Sequence, residues 1–292
     1  MDEDGFTLRD RTVCVVGLGL MGGSLALALR DRVAALTGVD VDPVTRAAAL
    51  ERGIVSRAAD DLTLAREADV VVLATPVRTI IRLVGEIGPF LRPGALLFDI
   101  GSVKGPVVEA MNALPEAVGA VGGHPMCGKA EAGLRHAEAA LYEGAPFVLC
   151  RTERSTEVAL SIAGAIVNAV GARMIVMDAG WHDRAVAFIS HLPYALSAAL
   201  ALTAGTYAAT DPLAWSLAAS GFRDTSRLAG SDPLMMADIL LTNADAVLET
   251  LDAARGSLEE LSALIRRGDP EALIAYLERV QQIRHDWERQ RS

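Results

Sequence analysis

A histidine in the segment 123–128 (GHPMCG) is the residue best suited to chemistry in this 292-residue chain. His124 follows an apolar run at 117–121, and the glycines and the proline around it predict a loop. Imidazole titrates near neutral pH, so it can accept or release a proton during a reaction. His124 is therefore interpreted either as an acid–base group beside a bound nucleotide or as a turn histidine that caps its own loop.

The nucleotide is suggested by the glycine-rich segment 17–22 (GLGLMG) near the start of the chain. This segment follows a β-branched apolar run and precedes an apolar helical stretch, the context that a dinucleotide-binding loop requires. Gly17 permits the tight turn, Gly19 lets the backbone approach a pyrophosphate, and Gly22 allows close packing of helix on strand. Simple turn chemistry is the alternative for these glycines.

An acidic residue stands where such a loop needs one. Asp40 ends the next predicted strand, where its carboxylate can accept hydrogen bonds from ribose hydroxyls and repel a 2′-phosphate. This favours NAD over NADP, although the nearby Arg46 weakens the preference. The alternative for Asp40 is a helix cap. The predicted cofactor contacts are Gly17, Gly19, Leu20, Met21, Gly22, Asp40, Thr75 and Pro76.

The elements that must position these residues alternate between strand and helix in the first half of the chain. Continuous apolar strands separated by helices predict a doubly wound parallel sheet of Rossmann type, covered on both faces. After Met177 only helical patterns recur. We expect an α/β dinucleotide-binding domain over 1–178 and an all-α domain over 179–292. The predicted strands are 11–17, 35–40, 69–75, 95–99, 117–121, 146–150 and 173–177, and the predicted helices of this half are 24–29, 43–52, 79–90 and 106–114.

Composition excludes several classes of function. The net charge is −10 without a basic run, which argues against nucleic-acid binding. Three widely spaced cysteines indicate a reducing compartment and neither a disulfide framework nor a zinc site. The polar N-terminus does not resemble a signal peptide, so we expect a cytoplasmic protein. The apolar stretch 185–209 contains His191 and Pro193, which favours a helix buried in a domain or a dimer over a membrane span.

Six motifs occur in the order found in prephenate and arogenate dehydrogenases of tyrosine biosynthesis, and the chain resembles this family from about residue 11 to 285. The resemblance implies an NAD-dependent oxidative decarboxylation of prephenate to 4-hydroxyphenylpyruvate, without a metal. Arogenate, with L-tyrosine as the product, is the alternative substrate. It also implies a homodimer through the helical domain. The motifs are GLGLMG at 17–22, GSVKG at 101–105, GHPMCG at 123–128, LYEG at 141–144, SHLP at 190–193 and GFRDTSR at 221–227.

Family resemblance also assigns residue roles. His124 accepts the hydroxyl proton as hydride leaves the ring carbinol. Ser102 orients His124, or caps the helix that begins near Pro106, or does both. Arg227, otherwise a surface ion-pair residue, suits a substrate carboxylate. His191 is a substrate contact or a core histidine. The predicted substrate-binding residues are His191, Arg227, Lys104, Lys129 and Arg223.

Lysine usage and one departure from the family pattern complete the site prediction. Lys104 and Lys129 are the only lysines in the sequence, and both fall in loops assigned to the active site. An ammonium near the nicotinamide or the substrate carboxylates is one explanation and coincidence is the other. Ala130 stands where family members commonly carry a glutamate, and Glu131 follows it. The remaining histidines, His136, His182 and His285, are interpreted as structural or surface residues.

Two other functions compete with this interpretation. A β-hydroxyacid dehydrogenase of the phosphogluconate type shares the expected architecture but uses a lysine in the helical domain, and no lysine follows Lys129. A module that senses NAD without chemistry would not need His124, Ser102, His191 and Arg227 together.

Overall fold

Eight strands of the described chain, which comprises residues 7–129 and 131–291, form one sheet in this computed structural model. The order is β3-β2-β1-β4-β5-β6-β7-β8, and the first six strands are parallel. The order reverses beside β1, and ligands of such sheets bind at the carboxyl ends of the strands at this point. The strands are β1 (Thr12–Val16), β2 (Ala35–Val39), β3 (Arg57–Ala59), β4 (Val70–Leu73), β5 (Leu96–Asp99), β6 (Gly119–Pro125), β7 (Pro146–Arg151) and β8 (Arg173–Val176).

Helices cover both faces of the sheet, as the sequence predicts. Side chains of β1 alternate between two apolar clusters: Val13 and Val15 belong to one, and Cys14 and Val16 to the other. Alternation of this kind buries both faces of a strand. The helices of this part are α1 (Leu20–Leu29), α2 (Pro43–Glu51), α3 (Thr63–Glu67), α4 (Val77–Ile87), α5 (Gly105–Asn112) and α6 (Glu157–Ala169).

Strand β7 corrects the expectation of a purely parallel sheet, because it runs antiparallel to β6. The segment between them contains two short 3-10 turns, Leu134–His136 and Ala139–Tyr142, and its described residues, all but 130, form no crossover helix. Without a crossover, the chain leaves β6 and enters β7 at the same end of the sheet. Strand β7 must therefore run in the opposite direction to β6. Helix α6 then provides a crossover, and β8 is parallel to β7. The short β3 and α3 were not predicted.

After β8 the described chain contains only helices. They are α7 (Ala179–Val186), a π-helical turn (Ala187–His191), α8 (Leu192–Ala208), α9 (Ser220–Ser226), α10 (Pro233–Thr242), α11 (Ala244–Arg267) and α12 (Pro270–Arg291), with 3-10 turns at Pro212–Leu217 and Arg227–Gly230. Asp232 caps α10 through the amide of Met235, and Asp269 caps α12. The chain divides into two compact units between Ala244 and Asp245. The domain boundary near 178 stays a prediction.

The segment Ala179–Ala208 is, by length and composition, long and apolar enough to cross a membrane. It consists of α7, the π-helical turn and α8. Only 22% of its most apolar stretch is buried within the single chain. Burial inside the domain, one of the two expectations for this segment, is therefore wrong for most of α8, and burial in a dimer stays a prediction.

Candidate active site

His124 lies on β6, near the end of that strand, and not in a loop as expected. Its backbone pairs with Val148 of β7, so the neighbouring strand β7 fixes its position. The sequence prediction failed because the glycines and the proline around it resemble a turn. Gly123 is required for another reason: a β-carbon there would lie 2.5 Å from the backbone oxygen of Asp99. A close approach between β5 and β6 therefore accounts for the glycine.

The imidazole of His124 contacts a second histidine. Its Nδ1 lies 2.8 Å from Nε2 of His182, and Nδ1 of His182 lies 2.7 Å from Oδ1 of Asp183. The Asp183 carboxylate also accepts hydrogen bonds from the backbone amides of Lys104 and Gly105, at 2.7 and 2.6 Å. His182 and Asp183 are buried on α7. Sequence reasoning missed this role of His182, and the adjacent acidic residue at a helix start was the available signal.

Burial holds the pKa of His124 well below its usual value of 6.5, and electrostatic interaction with the neighbouring His182, Lys104 and His191 lowers it further. A histidine with such a pKa is neutral at pH 7. Within the described part of the chain, Nε2 of His124 has no hydrogen-bond partner, so one ring nitrogen is available to a substrate.

Lys104 does not fit the predicted role of substrate ligand. Its side chain is 0% exposed, and its ammonium donates to the Asp99 carboxylate and to the carbonyl of Gly123. Asp99 also accepts the backbone amides of Gly101 and Gly123. An ammonium already bonded to these groups is not free for a substrate carboxylate. The ion pair instead ties the end of β5 to the residue before His124.

Ser102 is half-buried after β5 and, among the described residues, its hydroxyl has no hydrogen-bond partner. The predicted bond to His124 is absent from this arrangement, and the described contact of the His124 ring is with His182. The helix-cap alternative is wrong, since Asp183 caps the start of α5 through the amides of Lys104 and Gly105. A catalytic role of Ser102 stays a prediction.

His191 ends the π-helical turn before α8 and is buried. Asn243 Nδ2 donates to the carbonyl of Asp183 at 2.8 Å and contacts His191 Nδ1 at 3.2 Å. Because that nitrogen is a donor, His191 Nδ1 accepts and its Nε2 carries the proton. Burial lowers the pKa of His191 to about 4, although Asp183 opposes the shift. His191 is thus a neutral N–H donor, and Asn243, which sequence reasoning missed, orients it.

The glycine loop has the geometry that a dinucleotide requires. Gly17 has a φ of +94°, and a β-carbon at Gly22 would lie 1.9 Å from the Gly17 oxygen. At Gly19 nothing lies within 4 Å of an added β-carbon, so open space borders the uncapped start of α1 at Leu20 and Met21. The amides of such a helix start bind phosphate. The residues present therefore fit a pyrophosphate.

Asp40 is bonded directly to the glycine loop, and Arg46 follows it on α2. Asp40 accepts the amides of Leu18 and Asp42 at 2.8 and 2.9 Å, and Asp42, not Asp40, caps α2. Arg46 donates to the carbonyls of Asp40 and Val41.

Thr75 and Pro76 follow β4. The hydroxyl of Thr75 is the one buried side-chain polar atom of the described residues without a partner. A buried polar atom without a partner marks a place where a ligand can supply one. Pro76 is exposed at the start of α4.

The other predicted substrate ligands lie outside this cluster of contacts. Arg227 is exposed and forms no ion pair with a described residue, whereas Arg223 pairs with the adjacent Asp224 at 3.0 Å. Lys129 pairs with Glu138 at 2.6 Å. Ala130, where the family carries a glutamate, lies outside the described residues, and Glu131 is exposed with no ion pair among them.

Known proteins match the chain over nearly its whole length. The model of the prephenate dehydrogenase nucleotide-binding domain matches residues 25–176, and that of the prephenate dehydrogenase dimerization domain matches residues 178–279. Prephenate dehydrogenase of Lactococcus lactis subsp. cremoris is 34% identical over 283 residues, which are 95% of this chain and 78% of that protein.

Two solved structures are similar as well. Prephenate dehydrogenase from Aquifex aeolicus, in complex with hydroxyphenyl propionate and NAD+, superposes with a TM-score of 0.88 at 31% identity, covering 97% of this chain and 99% of that one. Synechocystis arogenate dehydrogenase gives a TM-score of 0.80 at 34% identity, covering 94% and 99%. With two domain models matching in succession, the chain belongs to the prephenate dehydrogenase family.

Proposed function

We propose that the chain catalyses the NAD-dependent oxidative decarboxylation of prephenate to 4-hydroxyphenylpyruvate. The single observation that carries the proposal is a neutral, half-buried His124 with one free ring nitrogen, in a chain of this family. Bound NAD supplies the hydride acceptor. The glycine loop, Asp40 and Thr75 hold it, and Leu20 and Met21 contribute the helix start.

The chemistry asks little of the protein besides proton transfer and positioning. Nε2 of His124 accepts the hydroxyl proton as hydride leaves the carbinol carbon. Loss of CO2 is driven by aromatisation of the ring, so it requires no further acid, base or metal. His191 donates its Nε2–H to an anionic oxygen of the substrate, and the exposed Arg227 binds a carboxylate through two parallel hydrogen bonds.

Asp40 favours NAD over NADP, because a 2′-phosphate would lie against its carboxylate. Arg46 on α2 does not offset this repulsion. Its guanidinium already donates to two backbone carbonyls and lies 3.7 Å from the Asp60 carboxylate. Electrostatic repulsion without a free cation nearby disfavours the phosphate.

Arogenate is the second candidate substrate, supported by the similarity to the Synechocystis arogenate dehydrogenase. The two substrates differ in a side-chain keto or amino group. Both reactions use the same carbinol and the same proton acceptor, so His124 does not distinguish them.

The enzyme acts as a homodimer through its helical part, in the cytoplasm. The match to a dimerization domain over 178–279 supports the dimer. Large apolar side chains exposed on the single chain support it as well, among them Leu202 on α8 and Leu217 after it. Similarity to biosynthetic dehydrogenases supports the location.

The test is NADH formation by the purified protein with each substrate and each dinucleotide. We expect turnover of prephenate with NAD, and 4-hydroxyphenylpyruvate as the product. A preference for arogenate would make arogenate the substrate in place of prephenate. Absence of reduced cofactor with all four combinations would refute the proposal.

A further inference from the structure

A chain of hydrogen bonds leads from the ring of His124 through His182 to Asp183. Asp183, at its inner end, decides which atom of each pair donates. The Asp183 carboxylate can only accept, so Nδ1 of His182 donates to it. Nε2 of a neutral His182 then carries no proton and accepts from Nδ1–H of His124. His124 is left with its lone pair on Nε2, the nitrogen without a partner among the described residues.

We propose that His182 is a positioning residue that acts through His124: it fixes the reactive tautomer of His124 and receives a proton from it during the reaction. This inference rests on the proposed function and assigns a reaction role to a histidine that the sequence interpretation treated as structural.

Bond making and bond breaking balance over the reaction. The substrate O–H bond breaks and an Nε2–H bond forms on His124, while the carbinol C–H electron pair leaves as hydride for the NAD that the proposed function requires and the carbon–oxygen bond becomes double. The Nδ1–H bond of His124 then breaks, and an Nε2–H bond forms on His182 across 2.8 Å. His124 ends neutral, and the positive charge lies on His182. When the ring carboxylate leaves as CO2, its C–C electron pair aromatises the ring and leaves a phenolate oxygen, which takes the proton back from His182 through His124.

The surroundings favour the charge on His182 over His124. His182 lies directly against the Asp183 carboxylate at 2.7 Å, whereas His124 has no carboxylate within hydrogen-bond distance among the described residues. The other charged or titratable groups facing the pair are Lys104 and Asp99, which neutralise each other, and His191. Burial is the largest cause of the low pKa of His124, so a proton on His124 moves to the ring of His182, which is paired with a carboxylate.

The tautomers can be read without any turnover. In the free, full-length protein labelled with 15N-histidine, the shifts of the two ring nitrogens tell which one carries the proton. The chain has five histidines, and single variants assign the signals. We expect Nδ1–H on His124 and His182 and Nε2–H on His191. A proton on Nε2 of neutral His124 would overturn the inference, even if the enzyme turns over prephenate.

Two substitutions of His182 test the consequence for catalysis. In His182→Phe no acceptor remains, so kcat should fall by about 10²- to 10⁴-fold, the usual contribution of a positioned acid–base group, while KM for prephenate changes little. In His182→Gln the amide oxygen can hold the tautomer but cannot take the proton, so kcat should lie between wild type and His182→Phe.

Matched measurements separate a structural effect from the relay. His136→Gln alters a half-buried histidine that contacts Arg135 and neither His124 nor His182, and it should keep wild-type kcat. Wild-type kcat in His182→Phe would overturn the relay. So would losses of activity in the two His182 variants that are fully explained by lower Tm values. If instead the wild-type protein oxidises no prephenate, the proposed function fails, and the tautomers remain measurable.

Discussion

At the scale of single residues, the site depends on which polar groups are buried and what they contact. Lys104 illustrates this, since its rarity in the sequence suggested a substrate ligand and its burial shows a different task. A lysine with no exposed surface, bonded to Asp99 and to the Gly123 carbonyl, holds the backbone that carries His124. Neither composition nor spacing distinguishes these two tasks, because both place the lysine next to the site.

The two lysines of the chain form a matched pair for a stability test. Lys104→Met leaves the Asp99 carboxylate buried without its partner, which typically costs about 3–5 kcal/mol in free energy of unfolding. Lys129→Met removes an ion pair that is 34% exposed on the lysine side, and such pairs contribute about 1 kcal/mol or less. Urea unfolding measures both. Equal losses in the two variants would contradict the assigned role of Lys104.

His191 makes the stability depend on pH. Its pKa is about 4 in the folded protein and near 6.5 in the unfolded chain. The unfolded chain therefore binds the proton first as the pH falls below 6.5, and stability decreases between about 6.5 and 4. His191→Gln lacks this titration. Its deficit in free energy of unfolding relative to wild type should shrink by about 1.4 kcal/mol per pH unit in that window. A constant deficit from pH 7 to pH 4.5 would contradict this account.

At the scale of elements, the regular parts of the molecule could be predicted and the exceptions had physical causes. Strand β1, the glycine turn and α1 were predicted because the residue types within each segment determine its local backbone geometry. The caps Asp232 and Asp269 are encoded just as locally, since each precedes a proline at the first position of its helix. The reversed direction of β7 depends on a missing crossover helix, and strand pairing at His124 depends on β7, so neither is encoded locally. The partnership of His182 and His124 spans 58 residues and was invisible to pattern analysis.

Within the glycine loop, Gly19 and Gly22 serve different purposes that substitution can separate. Gly19→Ala adds a methyl group to open space where the pyrophosphate is expected, so Tm should hardly change while the Kd for NAD rises. A steric cost of about 1.4 kcal/mol corresponds to a tenfold increase. Fluorescence titration with NAD measures the Kd.

Gly85→Ala is the matched control for this substitution. Gly85 lies on α4, and its added β-carbon also meets open space. We expect wild-type affinity for NAD in this variant. Unchanged affinity in Gly19→Ala as well would mean that the loop does not hold the pyrophosphate.

At the scale of the whole molecule, the apolar side chains exposed on the single chain predict association with a second copy. Leu202 on α8 is 74% exposed and lies in the region that matches a dimerization domain. Large exposed apolar patches mark association sites. We expect a dimer at micromolar concentration in sedimentation velocity.

The charged substitution Leu202→Asp should shift the dimer toward monomer, because a carboxylate cannot be buried without a partner. Val158→Asp introduces the same charge at an exposed position of α6 and should leave the dimer intact. A wild-type monomer at micromolar concentration would refute the dimer. A fully dimeric Leu202→Asp variant would place the interface elsewhere.

The most direct test of the central claim is the rate of NADH formation from prephenate by His124→Asn, measured beside wild type and His136→Asn. Loss of the proton acceptor should lower kcat by about 10²- to 10⁴-fold, while the KM values for prephenate and NAD stay within a few-fold. The His136→Asn variant, altered at a half-buried histidine away from His124, should match wild type. Wild-type kcat in a folded His124→Asn protein would contradict the assignment of His124 as the proton acceptor.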